Sequence, residues 1–104
     1  MPFDNPYKAP SGRELDSWIH VNLFRGDGSL APLYSTDERA AEKVRARIKV
    51  LYGHRVETGT TRLRNTPFFA RFESGPSTST EALADSLPLA ICRLALILGM
   101  KHGE

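Results

Sequence analysis

Apolar residues recur at helical spacing in three stretches of this chain and alternate in one. Leu15, Trp18, Ile19, Asn22 and Leu23 fall on one stripe, which predicts a first helix with Asp16, Ser17 and His20 nearer water. Its start is marked by Ser11-Gly12-Arg13-Glu14, a capping box in which serine and glutamate satisfy each other's free backbone N–H groups. Gly26 and Gly28 end it. Residues 25–34, with two glycines and Pro32, read as a loop with room for one short strand. A second capping box, Ser35-Thr36-Asp37-Glu38, opens a helix running to about Tyr52, with Ala41, Val44, Ile48 and Leu51 as its apolar stripe. Gly53 stops it.

The period then changes. Residues 55–61 are rich in β-branched side chains, Asn65-Thr66-Pro67 is a turn signal and residues 68–73 alternate, so an antiparallel pair is expected. Phe68, Ala70 and Phe72 share one face of it, and Phe69, Arg71 and Glu73 the other. Residues 74–80, Ser-Gly-Pro-Ser-Thr-Ser-Thr, read as a flexible polar loop. The last helix starts from Ser86 as its cap with Pro88 in the first turn, and runs to about Lys101. It has almost no polar face, which predicts burial on all sides, part of it against another subunit. The fold class is therefore α+β, a small antiparallel sheet layered with helices in the order α-α-β-β-α. Residues 1–10, with three prolines and no periodicity, are expected to be a disordered arm ahead of a single domain over 11–104.

Length agrees with one domain, since 104 residues can bury roughly 65% of their unfolded surface and no more than one core. The single cysteine, Cys92, excludes an internal disulfide framework. MPFDNPYKAP has an acid and three prolines where a secretory signal needs a basic and then an apolar segment, so a cytoplasmic protein is expected. The stretch from Leu87 to Met100 is 14 residues long and interrupted by Pro88 and Arg93, short of the roughly 20 that span a bilayer. Charge is uneven along the chain. Residues 36–71 hold nine bases against four acids, seven of the nine being arginine, while both flanking segments are slightly acidic. Such a basic middle third is either a solvated surface or a contact for phosphates.

Candidate chemistry is sparse. His20, His54 and His102 lie in different elements, without metal-ligand spacing to Cys92 or to a carboxylate, so no metal and no cofactor are expected. Cys92 sits in the most apolar segment, where a thiol packs rather than reacts. Neither a GxxxxGK[ST] loop nor a GxGxxG fingerprint occurs, and no enzyme activity is expected. What remains is a binding constellation. Phe69 and Arg71 suit base stacking and phosphate contact, with Arg45, Arg47, Arg62 and Arg64 adding charge. The alternative has Phe69 packing under a helix and Arg71 paired with Glu73 or Glu57. Arg93, the only charge between Asp85 and Lys101, needs a partner: an acid across a subunit boundary, or an anion held there.

With these residues assembled, the chain resembles the phage ABA sandwich domain. The likeness rests on Arg13-Glu14-Leu15-Asp16, on Tyr34-Ser35-Thr36-Asp37, and on the run from Ala84 to Leu96, ADSLPLAICRLAL, together with the 68–72 strand. It spans about residues 11–101, and none of its motifs is catalytic. The resemblance implies an antiparallel sheet layered with helices. It further implies relatives among phage sponge proteins of the Thoeris anti-defence type, oligomers that sequester cyclic ADP-ribose isomers or cyclic oligonucleotides without degrading them. Carried over, the strand aromatic maps to Phe68 or Phe69 and the last-helix arginine to Arg93. The usual pattern has no proline-rich arm and often an acid where Leu89 stands here. The expected function is a phage anti-defence protein of the host cytoplasm, a homo-oligomer through the 86–101 helix that sequesters a cyclic nucleotide through Phe68, Phe69, Arg71, Arg93, Arg45 and Arg47. A protein-directed inhibitor of a host enzyme and a weak nucleic-acid-binding accessory protein are the alternatives.

Overall fold

A computed structural model describes residues 5–75 and 78–102; residues 1–4, 76–77 and 103–104 lie outside that description. Helix α1 spans Arg13–Phe24, α2 spans Glu38–Tyr52 and α3 spans Leu87–His102. Strands β1 (Val56–Thr60), β2 (Phe68–Gly75) and β3 (Thr78–Ala84) form an antiparallel sheet in the order β1-β2-β3. The α+β architecture is the expected one, with one strand more.

That strand, β3, falls partly on the segment expected to be a polar loop. Register explains why it forms: Phe72 pairs with Thr80, Ala70 with Ala82 and Phe68 with Ala84, so a row of small side chains meets the bulky face of β2. Ala82 and Ala84 are fully buried. No strand forms in 25–34, where Gly28–Leu30 is a 3₁₀ turn whose Ser29 N–H is accepted by the Asp27 carboxylate at 2.9 Å.

Both capping boxes are replaced by other pairings. Ser11 does not cap α1; the cap position is Gly12, whose N–H is accepted by Ser35 Oγ at 2.9 Å from across the chain. Ser35 in turn donates its N–H to Asp16 Oδ1 at 2.8 Å, which draws Asp16 to 2% exposure rather than out to water. The cap of α2 is Asp37, accepting from Arg39 N–H at 2.9 Å. The serine of the box, Ser35, is engaged at the start of α1 instead. Along α2, Ala41, Val44 and Ile48 are buried as expected, whereas Leu51 is exposed.

Helix α3 is the centre of the molecule. It packs on β2 and β3 on one side and on α2 and α1 on the other, and Leu94, Leu96 and Leu98 are buried together with Ile91, Cys92 and Ala95. Each large apolar side chain buried there contributes roughly 1.5–3 kcal/mol. Within one chain the covering of these side chains comes from the sheet, α1 and α2. Gly99 lets α1 approach closely: a Cβ there would lie 2.4 Å from Cη2 of Trp18.

The proline-rich arm is ordered from residue 5 onward, contrary to expectation. Pro6–Lys8 forms a 3₁₀ turn packed on α3, and Ala9 is 2% exposed. Prolines restrict the chain to few conformers, which lowers the entropic cost of docking it.

Candidate functional site

The expected binding residues are distributed over three places. Phe68 points to the inner face of the sheet and packs against the core. Phe69 and Arg71 lie on the outer face, where Arg71 Cζ stands 4.9 Å from the centroid of the Phe69 ring. Strand register puts Glu57 and Glu81 opposite Arg71 on either side. The guanidinium accordingly meets Glu81 at 3.2 Å, Glu73 at 3.7 Å and Glu57 at 4.0 Å. Three carboxylates around one cation leave this patch acidic, which repels rather than attracts phosphate. Phe69 packs over Gly59, whose added Cβ would lie 2.7 Å from the ring, and not under a helix.

Arg93 is half-buried and is engaged with the backbone of its own chain. Its Nε donates to Ala9 O and its Nη1 to Leu83 O, both at 2.8 Å. Burial lowers its pKa, and nearby Asp85 partly offsets that. The guanidinium is thus a clamp holding the N-terminal segment and the end of β3 to α3. Arg45 donates through Nε to Val56 O at 3.0 Å and meets Glu42 at 3.5 Å. Arg47 donates through Nε to Leu23 O at 2.7 Å and lies 6.0 Å from the centroid of Phe24. An arginine fork offers five donors, so one bond to a carbonyl leaves others available at Arg45, the more favourably placed of the two.

Beside Arg45 the chain provides what the sequence reading passed over. A shallow cleft of about 230 Å³ between the second half of α2 and the start of β1 is lined by Glu42, Arg45, Ala46, Lys49, Arg55 and Val56. Lys49 and Arg55 are exposed and make no ion pair among the described residues. The signal was present: Arg45 and Lys49 are one helical turn apart, and Arg55 follows the Gly53 stop that folds β1 back along α2.

Other reactive groups are embedded in packing. Burial raises the Cys92 thiol well above its ordinary pKa, with Asp16 adding to the effect. His20 Nδ1 is 2.8 Å from the Tyr34 hydroxyl, and the Tyr34 ring stacks on Phe24 with centroids 5.2 Å apart. No group of His, Cys, Asp and Glu able to hold a metal ion occurs among the described residues.

No family model matches the chain, and no curated protein sequence matches it. A crystal structure does: that of a phage protein from Bacillus cereus ATCC 14579, with a TM-score of 0.68 and 93% of each chain covered. What the two share is the fold. At 22% identity the likeness extends no further than that. Among the described residues no helix is long and apolar enough to cross a membrane.

Proposed function

We propose that this chain is a phage protein that works by capture: in the cytoplasm of the infected bacterium it binds a cyclic nucleotide immune signal through its phosphates and holds it without cleaving it. The observation that carries this reading is the α2–β1 cleft, where Arg45, Lys49 and Arg55 stand together with one acid, Glu42, among the lining residues. Convergent cations in a shallow cleft suit phosphate oxygens, which accept short charge-assisted hydrogen bonds. The shared fold with a phage protein and the resemblance to the phage ABA sandwich domain support the phage assignment. Within this reading the ligand contacts move from Phe69, Arg71 and Arg93, which are engaged with the chain itself, to the cleft beside Arg45.

Native mass spectrometry with a panel of cyclic oligonucleotides and cyclic ADP-ribose isomers tests it. The expected result is uptake of one panel member, released intact on denaturation, with uptake reduced at least about tenfold in a Lys49→Glu/Arg55→Glu double variant. The same spectra count subunits. Absence of uptake, or release of a cleaved product, overturns the reading. A second reading, a protein-directed inhibitor, draws on the outer sheet face, where Phe69 and Leu83 sit half-buried among Glu57, Glu73 and Glu81. A basic host protein retained by the wild type and lost on Phe69→Ala, without nucleotide uptake, would select it.

A further inference from the structure

A second cavity, of about 310 Å³, lies between the first turn of α1 and the loop at 28–36, with Gly12, Arg13, Asp16, Ser29, Leu33 and Thr36 in its wall. Asp16 is 2% exposed and still lines it. One carboxylate oxygen accepts the Ser35 N–H at 2.8 Å, and no second donor reaches this carboxylate among the described residues. No buried side-chain oxygen among the described residues lacks a partner, so the acceptor capacity that remains on Asp16 opens to the cavity it lines. Arg13 lies three residues earlier on the same helix, so the two side chains are neighbours one turn apart. Its guanidinium is exposed and makes no ion pair among the described residues. Helix α1 also begins without a side-chain cap, which leaves N–H groups of its first turn open beside the same cavity.

The wall thus presents the Asp16 carboxylate and, three residues earlier on the same helix, the Arg13 guanidinium at the positive end of the helix dipole. A plain anion would be repelled by Asp16, and a plain cation by Arg13. We propose that this cavity binds a small zwitterion of the α-amino acid kind, its ammonium on Asp16 and its carboxylate on Arg13 and the first-turn N–H groups of α1. The volume falls at the lower end of the roughly 300–1,000 Å³ typical of ligand sites, enough for a compact amino acid. This site is separate from the α2–β1 cleft and shares no residue with it.

Calorimetric titration of the full chain with the common L-amino acids tests the proposal, with ethanolamine (no carboxylate) and N-acetyl-L-serine (no ammonium) as controls. At least one amino acid is expected to bind, and both controls to bind about tenfold more weakly or worse. Asp16→Asn keeps an oxygen that can accept the Ser35 N–H, so its circular dichroism should match the wild type while its affinity falls at least about tenfold. Arg13→Gln tests the other end at a side chain with no structural contact. Failure of every amino acid to bind at millimolar concentration overturns the proposal. So does wild-type affinity in either variant.

Discussion

Arg93 and Arg71 are the same side chain in two regions that treat it oppositely. In the interior joint between α3, β3 and the N-terminal segment, Arg93 gives two hydrogen bonds of 2.8 Å to backbone carbonyls and has no ion pair among the described residues. On the outer sheet face Arg71 has three carboxylates within 4.0 Å, each of them exposed. Carbonyls at a half-buried site have few other donors to turn to, whereas exposed carboxylates are solvated well without an arginine. The lesson is that an arginine's worth depends on what its partners lose when it leaves.

Removing each arginine sharpens the contrast. The largest effect is expected from Arg93→Ala, about 3 kcal/mol of destabilisation in urea, since two charged hydrogen bonds of roughly 1.5–3 kcal/mol each are lost and two carbonyls are stranded. Arg93→Lys should recover less than half, because one ammonium cannot reach both carbonyls in the same fork geometry. Hydrogen exchange should show amides of residues 5–10 losing protection in both variants. Equal stability of Arg93→Ala and wild type would erase the difference between the two regions.

Arg71→Ala should cost about 1 kcal/mol or less, mostly from three carboxylates left facing one another, and 0.5 M salt should shrink that cost. Smaller still is the expected effect of Phe69→Ala, within about 1 kcal/mol, as the ring loses its contacts with Gly59 and Arg71. A loss above about 3 kcal/mol for Phe69→Ala would show the outer face to be as integral as the core.

A further prediction concerns pH and returns to the interior. Because burial raises the folded pKa of Cys92, its contribution is complete below the ordinary thiol pKa and fades as pH rises through the range up to the folded value. Tyr34 and Tyr52, also raised by burial, act in the same direction at higher pH. Stability should therefore fall on the alkaline side, with Cys92→Ala flattening the first part of that slope. A thiol reagent should label Cys92 only as fast as the chain unfolds.

The interior was the more legible region. The uniform apolarity of α3 announced burial, and its boundaries follow from Ser86 and Pro88. What covers α3 was not legible, because a one-dimensional pattern does not say which faces of α1, α2 and the sheet return to it. Strand β3 was hidden because its two threonines stand among Ser79, Glu81 and alanines, which have little strand preference until Phe68, Ala70 and Phe72 lie beside them. Asp16 looked like a surface acid because its partner, the Ser35 N–H, comes from 19 residues away. At the candidate site Arg45 was visible as a charge, but its neighbours Lys49 and Arg55 gain meaning only once β1 folds back along α2. Arginine itself misled, since a backbone carbonyl leaves no trace in sequence.

The bond from Arg93 to Ala9 joins residues 84 positions apart. During synthesis the segment at 5–10 has no docking partner until α3 has been made, and the same delay applies to the sheet, whose inner face is covered by α3. A nascent chain ending before Leu87 lacks the centre of its core, so folding waits on α3 instead of proceeding helix by helix. Until α3 is made the chain exposes the 68–72 strand, which makes that interval the one in which chaperones have most to shield.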